Sequence, residues 1–112
     1  MKKVVIFAFK GDPMCFVHVL LNARDMHERG IEAKIVIEGE SVKLLQELEQ
    51  SKNPLYLEVK ELGLIHSICK ACSIKMNVAA YNETLGIKML GDMAGHVAMS
   101  TFINDGYEVI TL

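Results

Sequence analysis

The sequence predicts a three-layer α/β domain, in which a mostly parallel five-stranded sheet carries helices on both faces. Apolar runs of strand length alternate with segments whose apolar residues recur at helical spacing, an order typical of parallel sheets joined by right-handed crossovers. The strand runs are continuously apolar, as expected for strands that are covered on both faces. The chain of 112 residues has no internal repeat, linker or low-complexity segment, so we expect a single domain over residues 1–112.

The first strand and the first helix have the clearest signals. β-branched and aromatic residues fill positions 3–9 and predict a buried strand. Asp12 can cap the helix that follows, with Pro13 at its first position, and Gly30 can end it. The apolar residues expected to face the sheet are Phe16, Val17, Leu20 and Leu21.

The remaining elements continue the same alternation. Residues 55–62 fit either a strand or a helix, and Gly63 directly after them favours a short helix that closes before the next strand. Residues 79–85 are expected to be irregular or to form a further short helix. The other predicted elements are, in order, a strand over 33–37, a helix that begins at Ser41, a strand over 64–68, a helix over 71–78, a strand over 87–90, a helix over 94–103 and a strand over 107–112.

Composition and charge exclude several classes of protein. A net charge of −2 and a pI near 6.1, with lysines spread along the chain, give no long-range attraction to nucleic acid. The longest uninterrupted apolar run, residues 4–9, is too short to cross a bilayer, so no membrane partner is expected. A mean hydropathy of +0.25 is high for a small domain and predicts apolar surface that a homo-oligomer would cover.

The cysteine count and the first residues predict a cytoplasmic protein. Three cysteines are an odd number, which fits free thiols in a reducing compartment better than a disulfide framework. The segment Met1-Lys2-Lys3 and the apolar run after it resemble a signal peptide only faintly. The apolar run is short, and Lys10-Gly11-Asp12-Pro13 follows it in place of a cleavage site with small residues.

Cys69 and Cys72 form a C-x-x-C motif directly after the third predicted strand. Cys69 would end the strand, and Cys72 would lie about one turn along the next helix. In parallel sheets, functional sites gather beyond the carboxyl ends of the strands. A helix amino terminus also favours the thiolate, which is the reactive form of cysteine. We therefore expect both cysteines to be catalytic, with Cys69 reachable and charged at the edge of the sheet.

The C-x-x-C motif alone has three interpretations. It fits a redox pair, although it lacks the aromatic and proline neighbours of thioredoxin-type motifs. It fits half of a zinc site, which needs two further ligands that neither a second C-x-x-C nor a close histidine pair supplies. It also fits two small apolar residues that pack at a strand–helix junction. We predict thiol chemistry, with no metal and no cofactor.

Cys15 and His96 are secondary candidates for the site. Cys15 begins the first helix and would open onto the same edge of the sheet, although the apolar residues after it favour a core position. His96 lies near the amino end of the last predicted helix, where it could polarise Cys69 or bind an anion. His66 is interpreted as a core or interface histidine, and Glu38 as a solvated loop charge.

Three segments carry a resemblance to a known family. They are the first strand Lys3-Val4-Val5-Ile6-Phe7, the strand Ile65-His66-Ser67-Ile68 that leads to Cys69, and Gly106-Tyr107-Glu108-Val109-Ile110. Over nearly its whole length the chain resembles the DsrE/DsrF-like family of small sulfur-relay proteins, which includes the TusD-type subunits. The resemblance implies a flavodoxin-like fold, oligomers that are often trimers or hexamers, and a persulfide on the residue that matches Cys69.

The sequence thus predicts a sulfurtransferase-like sulfur carrier, in which Cys69 accepts sulfane sulfur from a donor protein or small persulfide and passes it to a partner thiolate. Cys72 would be a secondary or resolving thiol, because it can attack a persulfide on Cys69 and release hydrosulfide. The alternatives are a redox or sensor module that uses both cysteines, an oligomeric binding module whose cysteines only pack, and a nucleotide or anion site at the turn over 91–96.

Overall fold

The computed structural model describes all 112 residues and confirms a three-layer, flavodoxin-like α/β fold. The strands are β1 (Lys3–Ala8), β2 (Glu32–Ile37), β3 (Ile65–Cys69), β4 (Lys88–Leu90) and β5 (Glu108–Thr111). All five are parallel and lie in the order β4-β3-β2-β1-β5. The first four strands therefore advance in one direction across the sheet, and β5 returns to the other side of β1.

Six helices flank the sheet on its two faces. They are α1 (Pro13–Glu28), α2 (Leu44–Gln50), α3 (Pro54–Glu61), α4 (Lys70–Lys75), α5 (Ala79–Asn82) and α6 (Met99–Asn104), with short 3-10 turns at Gly39–Lys43 and Glu83–Leu85. Because crossovers between parallel strands are right-handed, α1 to α5 lie on one face and α6, which leads into β5, lies on the other. None of these helices is both long and apolar enough to span a bilayer.

The core is centred on β1 and β2 and extends into the helices on both faces. Residues 4–8 and 35–37 are all buried. On the α6 face, the ring of Phe102 meets that of Phe7 edge-on, with centroids 5.7 Å apart. On the other face, Tyr56 of α3 is fully buried. The continuous apolar runs of the sequence therefore correspond to strands that are covered on both sides.

The first helix begins as predicted and turns a slightly different face to the sheet. Asp12 caps it by accepting the N–H of Met14, with Pro13 in the first turn. Its buried residues are Phe16, Val19, Leu20 and Ala23. This set follows the i, i+3, i+4, i+7 spacing of one helical face. The prediction of Val17 and Leu21 on that face is wrong, because they lie beside the stripe and are 37% and 39% exposed.

The chain before the last helix differs most from the prediction. The sequence predicts a helix over 94–103, but α6 begins only at Met99. Ala94 and Gly95 have φ values of +49° and +91°, which lie outside the right-handed helical region. The preceding residues therefore form a loop over 91–98, and His96 belongs to this loop instead of a helix.

The other element boundaries lie close to those predicted. The helix predicted over 55–62 is present as α3, which Asn53 caps by accepting the N–H of Tyr56 and which ends at Glu61. The helix expected from Ser41 starts as a 3-10 turn and continues as α2. The helix predicted over 71–78 is shorter, because Asn77 has a φ of +62° and ends it.

Candidate thiol site at the carboxyl edge of the sheet

Four side chains from three parts of the chain meet at the carboxyl edge of the sheet. They are Glu38, Cys69, Cys72 and His96, and their ligand atoms all lie within 4.8 Å of one another. β2 and β3 are parallel neighbours, so the residues that follow them are adjacent in space. The 91–98 loop then places His96 against them. We call this group the Cys69–Cys72 cluster.

Cys69 lies at the centre of the cluster. It ends β3 and caps α4, and its Sγ accepts the N–H of Cys72 at 3.4 Å. The same sulfur lies 3.2 Å from Nδ1 of His96, and its S–H reaches the carbonyl oxygen of Gly95 at 3.7 Å. The pairing of Cys69 with His96, which the sequence only suggested, is thus present in the structure.

The accessibility and charge expected for Cys69 are wrong. The residue is 0% exposed. Burial raises the pKa of the Cys69 thiol, the N–H of Cys72 lowers it in part, and the side chains of Cys72 and Glu38 raise it further. The helix that Cys69 caps has only six residues, too few to offset the loss of water. Cys69 is therefore a protonated thiol in polar surroundings, not an exposed thiolate.

Cys72 is the less buried residue of the pair. Its Sγ accepts the N–H of Gly39 at 3.3 Å and lies 3.5 Å from Nδ1 of His96. Its S–H reaches Oε1 of Glu38 at 3.4 Å. The sulfur thus has a backbone donor that stabilises its thiolate and two groups that can accept its proton.

Glu38 is buried, and its interpretation as a solvated loop charge is wrong. It is 4% exposed, its Oε2 accepts the N–H of Val97 at 3.2 Å, and its Oε1 lies 3.7 Å from Nδ1 of His96. A buried carboxylate needs such partners, since losing water is costly for a charged group. The signal in the sequence was its position directly after β2, at the same edge as Cys69.

Two glycines let the surrounding loops approach the cysteines closely. Gly39 has a φ of +53°, and a Cβ there would lie 2.8 Å from the carbonyl oxygen of Phe9. Gly95 has a φ of +91°, and a Cβ there would lie 2.9 Å from Cβ of Ala71. The N–H of Ala71 donates to the carbonyl oxygen of Gly95 at 2.8 Å, which fixes the 91–98 loop onto α4. Both positions favour glycine for its freedom at positive φ and its lack of a side chain.

A cleft of about 340 Å³ opens beside the cluster. Glu38 and His96 form part of its wall, and the rest is mainly apolar. The His96 side chain is 45% exposed. Small molecules or a side chain of a partner protein can therefore reach the imidazole from outside.

The remaining candidates lie apart from the cluster. Cys15 is half-buried in the first turn of α1 and is not among the clustered residues. His66 is half-buried in β3, where its ring meets Phe102 with centroids 5.0 Å apart and its Nδ1 lies 3.0 Å from Oγ of Ser67. Burial lowers the pKa of His66, and the residue lies at the margin of the core instead of within it.

Comparisons with known proteins define the family and the fold. No family model matches the chain. The chain is 50% identical over 40 residues to an uncharacterized protein of Archaeoglobus fulgidus, covering 36% of this chain and 66% of that one. The solved structure of a protein of unknown function, BT1422 from Bacteroides thetaiotaomicron, has a TM-score of 0.75 at 22% identity over 99% of this chain and 95% of the other. That structure shares the fold.

A further relative covers most of the chain. The uncharacterized protein MJ0733 of Methanocaldococcus jannaschii is 33% identical to it over 97 residues, which are 86% of this chain and 78% of the relative. Identity at this level over most of both sequences indicates common descent with a shared fold. The chain therefore belongs to the same family as the Methanocaldococcus jannaschii protein MJ0733.

Proposed function

We propose that the protein is a thiol-based sulfur carrier of the DsrE/DsrF-like type, which takes up sulfane sulfur as a persulfide on the Cys69–Cys72 pair. The observation that carries the proposal is the position of His96, whose Nδ1 lies 3.2 Å from one sulfur and 3.5 Å from the other. An imidazole within hydrogen-bond reach can take the proton of a thiol and so generate the nucleophile. The cleft is lined by Glu38 and His96, so a donor that enters it comes within reach of the imidazole beside the pair.

Cys72 is the better candidate for the first attack, because it is less buried than Cys69. Its thiolate would attack the outer sulfur of a donor persulfide. A new sulfur–sulfur bond forms on Cys72, the sulfur–sulfur bond of the donor breaks, and the donor leaves as a thiolate. An acceptor thiolate then removes the outer sulfur in the same way and restores the Cys72 thiolate. The N–H of Gly39 would stabilise that thiolate at both stages.

Cys69 then has the resolving role in this scheme. Its sulfur lies within 4.8 Å of the Cys72 sulfur. Once His96, 3.2 Å away, has taken the proton of Cys69, the Cys69 thiolate attacks the inner sulfur of a Cys72 persulfide, forms the Cys69–Cys72 disulfide and releases hydrosulfide. The sequence assigns the persulfide to Cys69 and the resolving role to Cys72, and the difference in burial supports the reverse order. Single variants separate the two assignments.

The test is treatment of the metal-free, reduced protein with polysulfide, followed by intact mass spectrometry. We expect wild type and the matched control Cys15→Ser to gain one reducible sulfur. Cys72→Ser should stay at the mass of the untreated protein, whereas Cys69→Ser should keep its adduct longer because discharge to the disulfide is blocked. If Cys72→Ser gains the sulfur and Cys69→Ser does not, the persulfide forms on Cys69 and the assignment to Cys72 is wrong. If no protein gains a reducible sulfur, the carrier proposal is wrong.

A thiol–disulfide module is the second candidate, and the closeness of the two free sulfurs favours it. An added thiol oxidant such as diamide would take two electrons and two protons from the two thiols and convert them to the Cys69–Cys72 disulfide. This function predicts that the disulfide forms and is reduced reversibly without any sulfane sulfur. Three thiols that resist both the oxidant and an alkylating reagent in the folded protein would instead indicate cysteines that only pack.

The carrier would work in the cytoplasm as a homo-oligomer, either a trimer or a hexamer. A reducing compartment keeps the three thiols free. Several large apolar side chains are exposed and would be covered by assembly, among them Met14, Ile74, Met93 and Ile103. Light scattering at micromolar concentration should give a mass of three or six subunits, and the mass of a single chain would contradict the assembly.

A further inference from the structure

We propose that Cys69, Cys72, His96 and Glu38 form a tetrahedral site for a thiophilic divalent cation, zinc above all, when both cysteines are reduced. The sequence supplies only half of such a site, since its C-x-x-C has no second cysteine pair or close histidine pair. The fold supplies the other half from two distant loops. The site uses the same two sulfurs as the proposed carrier but does not depend on persulfide chemistry.

The donor set selects the class of metal. Two cysteine sulfurs, one imidazole nitrogen and one carboxylate oxygen are the ligand types of protein zinc sites. Magnesium and calcium instead take six or more oxygen ligands, and the cluster offers one carboxylate. Soft sulfur ligands favour zinc and related thiophilic metals over the hard cations.

Four of the six distances between the ligand atoms lie in or close to the range of a tetrahedral metal site. Zinc holds sulfur at about 2.3 Å and nitrogen or oxygen at about 2.0–2.2 Å, so the corners of its tetrahedron lie about 3.3–3.8 Å apart. Nδ1 of His96 lies 3.2 Å from Sγ of Cys69, 3.5 Å from Sγ of Cys72 and 3.7 Å from Oε1 of Glu38. Sγ of Cys72 lies 3.4 Å from Oε1 of Glu38. All four ligand atoms lie within 4.8 Å of one another.

Backbone groups orient the ligands in the way that outer-shell partners do at metal centres. The N–H of Cys72 donates to the sulfur of Cys69, and the N–H of Gly39 donates to the sulfur of Cys72. The N–H of Val97 donates to Oε2 of Glu38, and Oε1 lies near the ligand atoms of Cys72 and His96. Each of the three ligands that would be anionic therefore accepts one hydrogen bond from a backbone N–H.

A cation also accounts for the burial of Glu38. A carboxylate that is 4% exposed beside two cysteines has no lysine or arginine among its contacts. Buried charges are paired or coordinate metals. On binding, the metal would replace the protons of both thiols, and these protons would leave to solvent. The bound metal would occupy both sulfurs, so the metal-bound and persulfide forms exclude each other.

The test is titration of reduced, chelator-treated protein with Co²⁺, a spectroscopic probe for zinc sites. We expect one Co²⁺ per chain, the strong visible bands of tetrahedral cobalt, a sulfur-to-cobalt charge-transfer band, and loss of all of them when Zn²⁺ is added. His96→Ala should bind at least about tenfold more weakly, since even outer-shell changes cost 10–100-fold. His96 is the main variant because its side chain is 45% exposed, which makes the variant tolerable for folding. Cys69→Ser should remove most of the charge-transfer band.

Matched controls come from residues outside the cluster. Cys15→Ser and His18→Ala should bind Co²⁺ as wild type does, because neither belongs to the group of four. The proposed metal site is wrong if His96→Ala binds Co²⁺ as tightly as wild type, or if wild type shows only the weak bands of octahedral cobalt. If Co²⁺ fails to bind but polysulfide adds sulfur, the carrier remains and the metal site is wrong. If Co²⁺ binds and the metal-free protein gains no sulfur, the metal site remains and the carrier is wrong.

Discussion

Replacement of Phe7 by alanine should lower the free energy of unfolding by about 3–5 kcal/mol, the range for phenylalanine lost from a core. Phe7 lies in β1, an interior strand of the sheet, and is 0% exposed. Its ring meets Phe102 of α6 edge-on at 5.7 Å and stacks on Phe9 at 6.4 Å. The alanine variant would leave a cavity between the sheet and α6 that neither ring can fill without moving. The loss is a large part of the 5–15 kcal/mol that holds a typical domain folded.

Urea unfolding followed by far-ultraviolet circular dichroism measures this loss. Thr101→Ala is the matched control, because Thr101 belongs to α6 but is exposed, and a surface change should stay within about 0.5 kcal/mol. A loss below about 1 kcal/mol in Phe7→Ala would contradict the packing of α6 described above.

Replacement of Tyr56 by alanine should cost a similar amount, about 3–5 kcal/mol, on the opposite face of the sheet. Tyr56 is fully buried, and its hydroxyl donates to Oε2 of Glu49 at 2.7 Å. Nζ of Lys60 donates to the same oxygen at 2.6 Å. Burial, and then the bond to Glu49, raises the pKa of Tyr56, so the group is a neutral donor at all ordinary pH values. The variant loses both the ring and this hydrogen bond.

The conservative variant Tyr56→Phe separates the two contributions. It keeps the ring and removes only the hydroxyl, and we expect a loss of about 1.5–3 kcal/mol, as for hydrogen bonds to charged groups. Both variants are measured by the same urea unfolding experiment. A Tyr56→Phe variant as unstable as Tyr56→Ala would mean that the hydrogen bond, and not the packing of the ring, holds α3 in place.

Much of the fold could be predicted because local signals and the global arrangement agree. The apolar run over 3–9 predicts β1, and Asp12 with Pro13 places the start of α1 correctly. The 91–98 loop could be predicted only in part, because the sequence indicates a turn over 91–96 but places the start of the last helix at 94. Its residues are compatible with a helix, and the loop is held by long-range contacts such as the bond between Ala71 and Gly95. The helix or strand preference of each residue carries no information about such long-range contacts.

The site residues that lie close together in sequence could be predicted to meet, and those that lie far apart could not. Cys69 and Cys72 lie three residues apart, so their spacing alone shows that they are neighbours. Glu38 and His96 join them only through the pairing of β2 with β3 and the path of the 91–98 loop. The burial of Cys69 depends on the packing around the end of β3. A pattern of residue types cannot distinguish a buried strand end from an exposed one.

The strand order has a consequence for how the chain is made. Val4 of β1 pairs with Ala33 of β2 on one side and with Glu108 of β5 on the other. During translation, β1 leaves the ribosome before the other four strands of this sheet and gains its first neighbour early. Its second neighbour is the last of the five to be synthesised, and pairings between residues so distant in sequence form slowly. A nascent chain therefore exposes one open backbone edge of its most apolar strand until synthesis of β5 is complete, and that edge is where chaperones or aggregation would act.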